Sequence, residues 1–143
     1  MNMAEFRLEL VKQSSNLRKL MISELKKLNS WSVGLGESLF RNKISQHEKI
    51  LDSLEEKVFN YNENVGRYVG SATTLRGEGI NLNVRMSFGI SCSQLSDERN
   101  AVMSLLNNIQ QNLNDKKNRA NSLITLSISM IAIVISTLAL IFR

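Results

Sequence analysis

The side chains that most often bind metals or act as nucleophiles are scarce in this sequence, which contains one histidine, His47, and one cysteine, Cys92. The pair His47-Glu48 resembles the start of a zinc-protease helix, but Leu51 stands where the second histidine ligand is required. A single cysteine excludes an intrachain disulfide. The residue inventory therefore predicts no catalytic residue, no metal ligand and no cofactor, and we expect a protein that is not an enzyme.

The remaining polar motifs have structural interpretations. The segment Gly34-Leu35-Gly36 lacks the third glycine of a dinucleotide loop and the lysine of a P-loop, so it predicts a turn. The adjacent acids Glu55-Glu56 point to different sides of a helix and are expected to be solvated. His47 is expected to be a bundle histidine bonded to a neighbour, with a pH-sensitive switch as the alternative.

The clearest pattern lies at the C-terminal end, where residues 120–142 contain no charge and consist mostly of large apolar side chains. As a helix they would extend about 34 Å, enough to cross a hydrocarbon core of ~30 Å. This pattern predicts a transmembrane helix. A core helix is the alternative, but little protein would be available to cover it.

Small side chains recur along this segment at alternating spacings of three and four residues, which places them on one helix face. Helices in lipid associate through close approach across small residues and through hydroxyl hydrogen bonds. We interpret the face as a self-association seam, although the hydroxyls could instead bond to carbonyls of their own helix. The seam comprises Ser122, Thr125, Ser129, Ala132, Ser136 and Ala139.

Basic residues flank the predicted span unequally: Lys116, Lys117 and Arg119 precede it, whereas only Arg143 follows. The positive-inside rule then predicts a cytoplasmic N-terminal domain, with the bacterial inner membrane as the expected location. The three preceding residues are expected to contact lipid headgroups. A span at this position predicts a tail-anchored protein that inserts after translation.

The first half of the chain predicts two antiparallel helices. Residues 3–28 have an amphipathic pattern, and residues 29–36 supply a turn. The following apolar residues alternate spacings of four and three, which is typical of a coiled-coil or bundle seam. This seam comprises Phe40, Ile44, His47, Leu51, Leu54, Val58 and Tyr61.

A change of period follows. From residue 80 to 92, apolar and polar residues alternate strictly, which is typical of a half-buried strand. Residues 65–75 would form its partner, and Arg76-Gly77-Glu78-Gly79 the hairpin turn. The alternative is that Tyr61, Val65, Tyr68, Ala72 and Leu75 continue the heptads. The predicted apolar strand face comprises Ile80, Leu82, Val84, Met86, Phe88 and Ile90, with Cys92 at its end.

Ser96, followed by Asp97 and Glu98, is a plausible start of the last soluble helix. No breaker separates it from the predicted span, so one helix of about 46 residues is expected over 97–142. The predicted fold class is mainly α: a membrane-anchored helical bundle or coiled coil with a β-hairpin insertion and one C-terminal transmembrane helix. Its predicted divisions are a helical hairpin over 1–63, the β-hairpin over 64–93, a juxtamembrane helix over 94–119 and the transmembrane helix over 120–142.

The formal net charge of +5 favours anionic surroundings, but basic residues of the first helix are mixed with acids and lack interleaved aromatics. Membrane lipid is therefore the expected partner, together with further copies of the chain and a protein bound through the cytoplasmic domain, rather than nucleic acid. The leading hypothesis is a self-assembling membrane scaffold or signalling component. The alternatives are a small pore-forming or membrane-disrupting effector of the defence or lysis type, and a membrane-tethered sensor of a ligand or nucleic acid.

Overall fold

The computed structural model describes residues 3–74 and 82–142, and within these ranges the chain is almost entirely helical and contains no strand. The elements are α1 (Met3–Ser30), α2 (Leu35–Phe40), α3 (Asn42–Thr74) and α4 (Leu82–Ile141). Helices α1 and α4 are parallel, because Arg7 contacts Gln94, and Trp31, which follows α1, contacts Lys116 farther along α4. Helices α3 and α4 are antiparallel, because Glu48 contacts Lys117 whereas the later Asn62 contacts the earlier Arg99. The described fold is a bundle of three long helices with α2 at one corner.

The bundle core forms because each long helix carries apolar residues at alternating spacings of three and four. The buried positions of α1 follow this pattern without a break: Leu10, Ser14, Leu17, Met21, Glu24 and Leu28. Those of α3 and α4 pack against them, and they include Leu54, Val58, Tyr61, Val65, Tyr68, Leu95, Val102, Leu106, Ile109 and Leu113. A smaller cluster of Val33, Ile44 and Ala120 closes the end of the bundle beside α2.

The predicted β-hairpin is wrong for the described residues. α3 continues to Thr74, so residues 65–74 are helical, and Tyr61, Val65 and Tyr68 are each 2–3% exposed. The heptad alternative therefore describes this segment. The predicted turn, Leu75 and Ile80 lie outside the described residues.

The predicted second strand is helical from Leu82 onward, so Leu82, Val84, Met86, Phe88 and Ile90 belong to α4. A strict alternation also places apolar residues four positions apart, which is compatible with one face of a helix. Phe88 and Cys92 are half-buried, whereas Met86 and Ile90, on another face, are about 60% exposed. A lone hairpin is only marginally stable. As part of α4, Cys92 and Leu95 instead pack into the bundle core.

Two predicted boundaries also differ. α4 contains 60 residues and starts 14 positions before Ser96, which is therefore an interior helical residue and not an N-cap. Phe40, predicted to begin the bundle seam, is 75% exposed at the end of α2. The reason is a chain reversal at Arg41, whose φ of 52° separates α2 from α3.

Candidate functional site

α4 changes its surroundings at Ala120. Up to that residue one face is buried in the bundle, and Ala120 itself is 0% exposed. Leu123 and Ile124 are half-buried, and from Leu126 onward the large apolar side chains are exposed, between 48% at Leu138 and 84% at Phe142. Within the described residues, α4 is the one helix long and apolar enough to cross a membrane, and none of its apolar window is buried. The long apolar C-terminal helix that the sequence predicts is confirmed.

The six residues of the predicted association seam all lie on α4 after Ala120, and Ser122 is the first of them. Their hydroxyl groups donate to carbonyls of their own helix: Ser129 Oγ to Thr125 O at 2.9 Å and Ser136 Oγ to Ala132 O at 2.7 Å, with Ser122 and Thr125 bonded in the same way. Each hydroxyl proton therefore has an acceptor before any second helix arrives. A second helix would therefore meet small side chains at the seam, and not free hydroxyl groups.

The three basic residues before the span have different surroundings. Lys116 Nζ donates to the Trp31 carbonyl oxygen at 2.5 Å and lies 5.8 Å from the centre of the Trp31 ring. Lys117 Nζ pairs with Glu48 Oε1 at 2.6 Å. Arg119 is exposed. Two of the three predicted headgroup contacts thus also hold the bundle against the start of the span.

We call the region around Ala120, where α4 leaves the bundle, the junction. A buried carboxylate, that of Glu24, lies beside it. Glu24 is 3% exposed and forms a short contact with His47 Nδ1, while Lys27 Nζ lies 3.4 Å from its second oxygen. The His47 ring stacks on Trp31 with ring centres 5.5 Å apart. His47 therefore links α3 to α1 through Glu24. Of the other seam residues, Ile44, Leu54, Val58 and Tyr61 are buried and Leu51 is half-buried.

A second polar cluster lies between α1 and α4, farther from Ala120 along the bundle. Ser14 Oγ donates to Glu98 Oε2 at 2.8 Å and also lies 2.9 Å from the Val11 carbonyl oxygen. Arg18 pairs with the same carboxylate at 2.9 Å, so the cluster ties α1 to α4. Tyr61 adjoins it from α3, with a hydroxyl that has no hydrogen-bond partner among the described residues. Burial raises the pKa of Tyr61 above its ordinary value, and the nearby Glu98 carboxylate raises it further.

Neither cluster contains a cysteine or a second histidine. Among the described residues, no group of three or more histidine, cysteine, aspartate or glutamate side chains could hold a metal ion. Gly34 is the residue before α2, and Cys92 is a half-buried free thiol. A groove of about 390 Å³ lies between α1 and α3, bordered by Lys27, Lys49 and Lys57. Searches against models of known protein families, curated proteins and solved structures returned no match.

Sequence reasoning missed three features of the junction: Glu24, Trp31 and α2. The signal for Glu24 was present, because it fills the seam position between Met21 and Leu28 at spacings of three and four. A polar residue at such a position is expected to have a buried partner. α2 left no periodic signal, since it contains only six residues.

Proposed function

We propose that this chain is a non-enzymatic, single-pass membrane protein whose helical bundle lies at the bilayer surface, and which self-assembles as a membrane scaffold or signalling component. The observation that carries the proposal is the abrupt change along α4. One continuous helix is buried in a bundle up to Ala120 and is apolar and exposed after it. A contiguous apolar surface of this extent is unusual on a soluble monomer, and lipid is the simplest environment that covers it.

Self-assembly is supported by the small-residue seam. Because its hydroxyls already donate to their own helix, the seam is compact, and a second helix can approach its backbone closely. Packing of this kind needs no strong polar contact. The absence of charge in residues 120–142 is equally compatible with helix-to-helix contact in lipid.

The cytoplasmic side and the bacterial inner membrane remain part of the proposal. Lys116, Lys117 and Arg119 support that orientation through the positive-inside rule. Arg119 contributes most directly to headgroup attraction, since Lys116 and Lys117 already contact Trp31 and Glu48.

The test of self-assembly is the mass of the full chain in a mild detergent, measured by light scattering coupled to size exclusion. Ser129→Leu and Ser136→Leu enlarge the seam and are expected to reduce the oligomer to monomer. The matched control is Ser127→Leu, which places the same bulk on the opposite face of the same helix, where Ser127 also bonds its own backbone at 2.8 Å. The control is expected to keep the wild-type mass.

A wild-type particle that is strictly monomeric would refute self-assembly. Reconstituted vesicles then separate the rival functions. Dye release by wild type that is abolished in the two seam variants and retained in the control would favour a pore, whereas tight vesicles holding a stable oligomer would favour a scaffold.

A further inference from the structure

The short helix α2 exposes three large apolar side chains beside the start of the span. Leu35 is 57% exposed, Leu39 is 68% exposed and Phe40 is 75% exposed. All three lie within a single six-residue helix, and together we call them the apolar patch of α2. Such a patch needs either a partner or a suitable solvent.

The backbone of α2 is fixed in a way that keeps these side chains outward. The Ser38 side chain is 0% exposed, and both its hydroxyl and its backbone N–H donate to the Gly34 carbonyl oxygen, at 2.9 and 3.0 Å. Glu37 Oε1 accepts hydrogen bonds from the backbone N–H groups of Lys43 and Ile44, at 2.6 and 3.1 Å, and so caps the first turn of α3. Glu37 thus attaches α2 to α3, whereas Leu35, Leu39 and Phe40 belong to neither core cluster.

Contacts of the residues that flank α2 show which part of α4 lies beside the patch. Arg41, which follows α2, donates to Asn121 Oδ1 at 2.5 Å, and Val33 before α2 packs with Ala120. Leu123 packs against the same small cluster. α2 therefore lies at the level where α4 leaves the bundle. From residue 123 to 142 the helix extends about 30 Å, the thickness of a hydrocarbon core.

Charge around the patch matches a lipid surface. Arg41, Lys43 and Arg119 are exposed at the same end of the bundle. Lys43 also lies 6.0 Å from the centre of the Trp31 ring. Glu37, the acid within α2, is occupied in capping α3. Apolar side chains bordered by basic residues are typical of elements that lie in the headgroup region of a bilayer.

We propose that α2 inserts Leu35, Leu39 and Phe40 into the membrane interface beside the span, so that the bundle rests on the bilayer at this corner. The inference depends on the proposed membrane location of α4. It assigns Phe40 to lipid.

The experiment measures how nitroxide labels collide with oxygen, which concentrates in lipid, and with a water-soluble nickel chelate. Each label is placed on the full chain in vesicles of phosphatidylcholine and phosphatidylglycerol, in a Cys92→Ser background. Leu39→Cys and Phe40→Cys report on α2, Ile131→Cys reports on the span, and Phe59→Cys is the matched control. Phe59 is a 69% exposed apolar residue on α3, far from Ala120.

We expect labels at 39 and 40 to collide several-fold less with the nickel chelate than the label at 59, and more with oxygen. Equal nickel accessibility at 39, 40 and 59, with a lipid-buried label at 131, would overturn the role of α2 and leave the span intact. Nickel accessibility at 131 as well would refute both proposals. Labels at 39 and 40 that are shielded from both reagents would show that protein, such as a second copy, covers the patch, which would also contradict lipid insertion.

Discussion

The two parts of α4 compare directly because they belong to one uninterrupted helix. Residues 91–120 bury one face against α1 and α3 and use polar side chains to reach those helices, as Glu98 does with Ser14 and Arg18. Residues 128–141 are exposed throughout, and their hydroxyls bond to carbonyls of their own helix. Side chains of the first part thus depend on protein neighbours, whereas those of the second part are already satisfied and require only an apolar solvent.

The largest difference between the two parts is expected from the same substitution at two isoleucines. Ile109→Asp would place an unpaired carboxylate at a position 1% exposed in the bundle, which costs more than about 3 kcal/mol and should unfold it. Ile131→Asp, at a position 59% exposed, should leave the bundle folded and disfavour membrane insertion by about 3 kcal/mol. Circular dichroism in detergent measures the first effect, and extraction of membranes with alkaline carbonate measures the second.

The opposite result for the two variants would contradict this difference between the two parts of α4. If Ile131→Asp unfolded the bundle while Ile109→Asp left it intact, the described packing of α4 would be wrong.

A second matched pair removes one hydroxyl from each environment. Ser14→Ala should lower the free energy of unfolding by about 1 kcal/mol, because half-buried Glu98 loses a hydrogen bond from the 0% exposed Ser14. Ser136→Ala should leave it within about 0.5 kcal/mol, since that hydroxyl bonds only to its own helix. Guanidinium denaturation of the full chain in detergent gives both values, and equal losses would contradict the distinction.

How far the sequence could predict this molecule depends on the length of each pattern. The apolar part of α4 and the α3 seam extend over several turns, so their helical period is unambiguous. The alternation at 80–92 is shorter, and it does not exclude a helix. Among residues 86–92, the structure buries Ser91 and half-buries Phe88 and Cys92, which share one helix face. The local sequence pattern could not distinguish a strand from a helix there, because that choice depends on packing against the rest of the bundle. α2 depends on contacts with Gly34 and Ile44 that no sequence period encodes.

The helical beginning of α4 has its own test. Gly89→Ala adds a methyl group where no atom lies within 4 Å, so it should stabilise the bundle by about 0.5–1 kcal/mol through helix propensity. Denaturation in detergent measures the gain. Gly66→Ala, at an equally open position in the well-packed α3, is the reference for the full gain in a helix. A loss of stability at position 89 alone would contradict the helix there.

The smallest effect at neutral pH is expected from Tyr61→Phe, which removes a buried hydroxyl without a partner among the described residues. The free energy of unfolding should be unchanged or rise by up to about 1 kcal/mol. Because folding raises the pKa of Tyr61, the unfolded chain loses this proton at lower pH than the folded chain does. Wild-type stability should therefore fall as pH rises above about 10, and the variant should lose that part of the decline. Denaturation curves of both proteins from pH 8 to 11 compare the slopes, and identical slopes would contradict the raised pKa.

The depth of α4 in a bilayer tests the central claim most directly. Nitroxide labels placed singly at residues 126, 131, 135 and 138 of the full chain in vesicles, each exposed in the structure, can be ranked by their collisions with oxygen and with a water-soluble nickel chelate. The account predicts that oxygen collisions dominate at all four positions and reach a maximum near residue 131. Labels that are freely accessible to the nickel chelate, or immobilised against α1 and α3, would contradict the location of this helix in lipid.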